Sequence, residues 1–290
     1  MRGLVFLLLL SGLSVARGVI VAGGDGSGNT TGDGVGGWDY VGAVGGASGV
    51  YLGNYDGNDW VLTAAHVGAG SFTLNGVSYG AVGTAVTLTG LNGELADLTL
   101  FLIDGSPGLT NLDLSESTPL IGQSVTMIGN GVNRGAGETD WKSDWTETTN
   151  RFRSIYQGYK WTGTSAKRWG TNVVTGSATE GATEYFTTTF TSLAGSAQAT
   201  LGDSGGGVFV QNGSTWELAG IMGLVSTYSG QPGSTSVYGA QTYSADISQY
   251  RSQILSVIAA GGISSVPEPT TVALAGLGIL AVAFWRRRGA

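Results

Sequence analysis

Three short stretches hold residue types that could do chemistry together. "QATLGDSGGGVFV", residues 198 to 210, sets Ser204 beside Asp203 and among Gly202, Gly205 and Gly206. Fixing a glycine costs more conformational entropy than fixing any other residue, so such a cluster needs a reason beyond packing. A serine hydroxyl is a weak nucleophile until a neighbouring base takes its proton. Histidine suits that task near neutrality, and the chain has one, His66, in "DWVLTAAHVGAG". A carboxylate would then hold the imidazole in one tautomer and stabilise its charged form. "GELADLTLFLID" offers Asp97 at the start of an apolar run and Asp104 at its end. Asp97 is preferred, because an acid entering a strand can face a cleft, whereas Asp104 opens a Gly-Ser-Pro turn typical of surface loops.

The elements that must position these groups are strands. The 290 residues include 52 glycines and 5 prolines, with Val, Thr and aromatic residues in short runs between Gly, Asn, Asp and Ser clusters. Strands are expected over 40–44, 49–52, 60–63, 71–74, 84–88, 98–103, 124–128, 183–191, 208–210 and 216–224. Near the end, Ile247, Tyr250, Ile254, Leu255 and Ile258 recur at helical spacing before Gly261 and Gly262. An all-β body followed by one helix is the resulting expectation. The absence of cysteine excludes disulfides, thiolate metal sites and a cysteine nucleophile.

Both ends read as addresses. "MRGLVFLLLLSGLSVARG" places Arg2 before an apolar run, and small residues at Ser14 and Ala16, or at Ala16 and Gly18, suit signal peptidase. Residues 1–18 are therefore expected to be a secretory signal peptide. At the other end Pro267-Glu268-Pro269 precedes an apolar stretch over 271–285 and then Arg286, Arg287 and Arg288. That stretch reads as a transient membrane anchor whose basic end stays cytoplasmic. The order of the three features resembles the PEP-CTERM sorting signal of Gram-negative exopolysaccharide-producing bacteria. The resemblance implies that an exosortase recognises and cleaves residues 263–290, leaving the mature protein in the cell envelope or outside the cell. A plain C-terminal anchor is the alternative. Without Arg2 and the three terminal arginines the formal charge falls from −7 to −11, which argues against nucleic acid as a partner.

Taken in order, "LTAAH", "ADLTLFLI" and "GDSGG" resemble the chymotrypsin or trypsin family of serine endopeptidases, with the likeness running over 38–258. The resemblance implies His66 as general base, Asp97 as its orienting partner and Ser204 as nucleophile. The backbone N–H groups of Gly202 and Ser204 would form the oxyanion hole. It further implies two packed six-stranded antiparallel β-barrels with a C-terminal helix, in a domain spanning 19–262. The barrel boundary is expected near 111–122, with the site in the cleft between barrels. Ungapped alignment makes Gln198 the floor of the primary specificity pocket and places Leu224 and Val225 in its wall. A neutral floor argues against cationic side chains and for small or medium uncharged ones. The expected substrate is a polypeptide, with no cofactor and no metal. The start "RGVIVAGGDG" lacks a clear Ile-Val-Gly-Gly, so whether Asp203 pairs with a released N-terminus or with another donor is open.

Two segments stand apart. Residues 134–172 carry Trp141, Trp145, Trp161 and Trp169 with Arg151, Arg153, Lys160, Lys167 and Arg168. A long hairpin with its aromatics paired across strands is preferred over a substrate or glycan contact surface. "DGSGNTTGDG", from Asp25, begins like a calcium loop but lacks the later glycine and acid, and reads as a flexible leader. The rival functional reading is a catalytically weak or inactive protease-fold protein that acts as an extracellular matrix or adhesive binding protein. An esterase-like hydrolase with the same triad is a third.

Overall fold

The computed structural model describes residues 14–15 and 19–261; the rest of the predicted signal peptide and the whole predicted tail lie outside the described residues. The N-terminal half supplies seven strands. They are β1 (Val41–Val44), β2 (Ala47–Tyr55), β3 (Asn58–Thr63), β4 (Phe72–Leu74), β5 (Val77–Tyr79), β6 (Ala81–Thr89) and β7 (Leu95–Ile103). They pair in the order β5-β4-β1-β2-β3-β7-β6. The central strands are apolar on both faces because both faces are covered. Val44, Tyr51, Val61, Phe72 and Phe101 form one core, while Leu52, Trp60, Leu62, Leu98 and Leu100 join another that includes Ile221, Tyr243 and Ile254 from the second half. Alternation between Tyr51 and Leu52, or Val61 and Leu62, is the period-two pattern of a strand.

The C-terminal half is built from β8 (Ser124–Gly129), β9 (Arg168–Glu180), β10 (Thr183–Thr189), β11 (Gly207–Asn212), β12 (Thr215–Val225) and β13 (Gln241–Asp246). Antiparallel pairings run β8-β9-β10-β13-β12-β11 and return to β8, so the barrel closes and leaves no edge. Val125, Met127, Val174, Phe186, Val208 and Met222 fill a core of this half. The helix α1 (Ile247–Ala259) starts at Asp246, whose side chain accepts the Ser248 N–H, and it buries Ile247, Tyr250, Ile254 and Ile258.

A chymotrypsin-like all-β architecture with a terminal helix is therefore present, but its two halves differ. The second barrel is closed by six strands, whereas the first is a half-barrel of seven. Its edge strands β5 and β6 follow one another through Gly80 without pairing. The three-residue length of β5 and the register shifts of β6 around Gly83, at φ +67°, leave little ladder with which to close.

Residues between β8 and β9 form a separate small sheet from Val132–Arg134, Thr139–Trp141, Tyr156–Ser165 and the later Thr235–Val237. The four tryptophans of residues 134–172 are engaged by other parts of the protein. Trp141 is buried, Trp145 stacks on Tyr156 at 4.0 Å, Trp161 donates to Ser236 Oγ at 2.9 Å, and Trp169 donates to the Thr31 carbonyl at 2.9 Å. The glycine-rich leader is pinned as well. Arg134 donates to the Val21 carbonyl at 2.8 Å and Asn29 Nδ2 to the Trp169 carbonyl at 2.8 Å. A leader read as flexible is thus held by hydrogen bonds, given and received, to residues more than a hundred positions away.

Lys167 straps the insertion to the start of the body. Its ammonium donates to the Trp38 carbonyl at 2.6 Å and sits 4.3 Å from the Trp38 ring centre. Burial pushes its pKa down to about 8, partly opposed by the charge of Asp39. An unfolded lysine titrates near 10.5, so between those values the unfolded chain binds more protons and stability rises with pH. Thermal unfolding of the protein and of Lys167→Met should show the native chain gaining on the variant from pH 7.5 to 10.5. A difference that stays constant over that range contradicts this assignment.

Candidate active site

The chain leaves β3 at Thr63 into a tight turn in which the Ala64 carbonyl accepts from the Val67 and Gly68 N–H groups, and this turn carries His66. Asp97 lies in β7 between the buried Ala96 and Leu98, so strand alternation turns its carboxylate away from their core. His66 Nδ1 is 2.9 Å from Asp97 Oδ1 and 2.8 Å from Oδ2, and the His66 backbone N–H donates to Oδ1 at 3.0 Å. A carboxylate accepts only, so the proton of the neutral ring belongs on Nδ1 and Nε2 is left as the basic nitrogen. The Asp97 backbone N–H in turn donates to Thr183 Oγ1 at 2.8 Å, which anchors the acid to β10 of the other half. Burial, and then the charge of Asp97, pushes the nearby Tyr185 phenol well above its ordinary pKa.

Ser204 sits in a loop compressed against the N-terminal sheet. Asp203 Oδ2 accepts the Thr200 N–H at 3.0 Å, and a Cβ on Gly129 would fall 1.8 Å from the other carboxylate oxygen. Gly205 has φ +84°, and a Cβ there would lie 2.1 Å from the Ser48 carbonyl and 2.2 Å from Thr63 Oγ1. Only glycine satisfies both the dihedral and the approach. Ser48, fully buried, makes the seam: its N–H donates to the Ser204 carbonyl at 2.9 Å and its Oγ donates to the Gly202 carbonyl at 2.7 Å. The same Oγ accepts the Asn130 N–H at 2.9 Å, while Thr63 Oγ1 donates to the Ser48 carbonyl at 2.7 Å.

His66 and Ser204 line one cleft of about 500 Å³, together with Val44 and Leu201. An adjoining cleft of about 650 Å³ is lined by His66, Asp97, Thr183, Tyr185 and Leu224. Ser204 belongs to the first cleft's wall while having no accessible surface of its own. Asp104 is elsewhere, holding the Gly80 N–H. Of the three residues expected to set specificity, Leu224 reaches a cleft shared with His66. Gln198 and Val225 are 3% and 4% exposed and line neither cleft. Gln198 pairs through its backbone with Ile20, and Val225 packs with Val19, Ala199 and Met222. Ser48, Asn130 and Thr183 gave no signal in sequence, because lone Ser, Thr and Asn residues are ordinary in strands and turns. The glycine cluster announced a close approach without naming what approached. Among the described residues no group of three His, Cys, Asp or Glu side chains could hold a metal ion.

Replacing Ser48 by alanine would strand the buried Gly202 carbonyl and remove the acceptor of the half-buried Asn130 N–H. Chemical unfolding of Ser48→Ala should show a loss of about 1–3 kcal/mol. An unchanged midpoint would refute the seam.

A family profile described as a trypsin-like peptidase domain matches residues 47–221, and one described as a PEP-CTERM protein-sorting motif matches residues 265–288. No curated protein matches the chain. Among solved structures, the Rv3671c protease in an inactive form is similar at 13% identity and a TM-score of 0.40, covering 73% of this chain and 83% of that one. Neuropsin, a serine protease expressed in the limbic system of mouse brain, is similar at 16% identity and a TM-score of 0.48, covering 82% and 100% respectively.

Proposed function

Because the chain belongs to the trypsin-like peptidase family, we propose that it is an exported serine endopeptidase acting through Ser204, His66 and Asp97. The observation that carries the reading is the contact of His66 Nδ1 with both Asp97 carboxylate oxygens, on a ring that shares its cleft with Ser204. In this scheme His66 Nε2 takes the Ser204 hydroxyl proton as the oxygen attacks a peptide carbonyl. The imidazolium, stabilised by Asp97, then gives that proton to the leaving amine, and water resolves the acyl-enzyme by the same route.

The oxyanion assignment to Gly202 and Ser204 is supported by peptide orientation. The Leu201 carbonyl accepts from the Val132 N–H and the Asp203 carbonyl from the Gly206 N–H. Among the described residues no peptide bond is cis, so the N–H groups of Gly202 and Ser204 are directed opposite to those carbonyls. Leu224, which lines the cleft beside His66, favours uncharged substrate side chains of small or medium size.

The PEP-CTERM motif supports an address at the C-terminus, read by an exosortase after residues 1–18 have directed export. No helix among the described residues is long and apolar enough to cross a membrane, and the predicted span over 271–285 lies outside them.

A fluorophosphonate probe followed by peptide mass mapping tests the central assignment. Labelling is expected at Ser204 and is lost in Ser204→Ala and His66→Ala. Asp97→Asn should lower peptide-hydrolysis kcat by about 10⁴-fold, the effect of a wrong imidazole tautomer. A folded protein that resists the probe would instead favour the matrix or adhesive reading.

A further inference from the structure

A cavity of about 330 Å³ lies between the leader and the inserted sheet, away from His66 and Ser204. Arg134 and Arg168 line it, and they are 5% and 8% exposed. Arg134 is saturated with acceptors. Nε donates to the Val21 carbonyl, Nη1 to Gly135 and Ala136, and Nη2 to Gly23 and Gly24, with the guanidinium 3.9 Å above the Tyr159 ring centre. Arg168 is not saturated. Its Nε donates to Asn133 Oδ1 and its Nη1 to the Gly28 carbonyl, whereas both hydrogens of Nη2 and one of Nη1 meet no acceptor among the described residues.

No carboxylate among the described residues comes within ion-pairing distance of either guanidinium. Asp25, at the cavity wall, is engaged by the Ser27 N–H at 2.9 Å and Ser27 Oγ at 2.6 Å, which hold its carboxyl below the usual range. Burial and then the charge of Arg134 press against the charged form of Arg168, partly opposed by the charge of Asp25. Two buried cations facing one cavity without a paired anion are costly, and the cost is relieved when an anion enters. There is also room: a Cβ on Gly24 or Gly28 would meet nothing within 4 Å.

We infer that this cavity binds a small tetrahedral oxyanion of the phosphate or sulfate type, held by the unused donors of Arg168 within the combined field of Arg134 and Arg168. A guanidinium presents its N–H groups as a fork that matches two oxygens of such an anion. The occupant would brace the leader from behind, where Ile20–Val21 pairs with Ala197–Gln198. This site does not depend on the peptidase assignment.

Isothermal titration of the full chain with inorganic phosphate, at constant ionic strength held by chloride, tests it. One saturable site is expected, with sulfate competing. Arg168→Gln should abolish it. Asp25→Asn, at an exposed position, should tighten binding by about threefold or more through loss of one repelling charge. If Arg168→Gln fails to fold, Asp25→Asn decides. Absence of a saturable heat, or an affinity that Asp25→Asn leaves unchanged, overturns the inference.

Discussion

One buried hydroxyl joins the two halves of the molecule where the chemistry is proposed to occur. Ser48 Oγ donates to the Gly202 carbonyl and accepts the Asn130 N–H, while its own backbone grips Ser204. The bond to the Gly202 carbonyl is buried, so that carbonyl cannot turn to water if the hydroxyl is lost. The dependence extends to Gly205, which must be glycine because the Ser48 carbonyl occupies the space a side chain would need. The glycine cluster of the sequence is therefore a record of how closely the second half presses on the first.

The division of labour makes that seam consequential. His66 and Asp97 come from the open sheet, and Ser204 comes from the closed barrel. A relative shift of about 1 Å between reacting groups can cost two orders of magnitude in rate, so the halves must be held in register. Besides Ser48, the Asp97 N–H bonds Thr183 Oγ1 and the Leu91 N–H bonds the Ala182 carbonyl across the same boundary. Without disulfides among the described residues, an apolar core adds to these bonds: it draws Leu62, Leu98 and Leu100 together with Ile221, Tyr243 and Ile254.

The proposed catalytic groups were legible because their residue types are scarce and their chemistry is specific. A single histidine and no cysteine leave few ways to activate a serine. The helix was legible from its spacing, and most strands from their composition. β9 was not, because Gly170, Asn172, Gly176 and Ser177 hide its alternation. Gly170 is small for a tertiary reason: a Cβ there would meet Ala197 Cβ at 2.7 Å and Val21 Cγ2 at 2.9 Å. The open first barrel was also hidden, since closure depends on pairing between distant segments rather than on local pattern. The grip of Arg134 and Arg168 on the leader escaped notice for the same reason. Nothing local to "GGDGSGN" reveals partners more than a hundred positions away.

The proposed chemistry requires Asp97 to hold the imidazole of His66 with its proton on Nδ1 and Nε2 free to act as base. A chain with one histidine allows a direct test by nuclear magnetic resonance after selective nitrogen-15 labelling of the ring. A single strongly downfield, exchange-protected proton bonded to Nδ1 is expected at neutral pH, abolished in Asp97→Asn while the fold is retained. A ring protonated on Nε2, or a signal that survives Asp97→Asn, would contradict it.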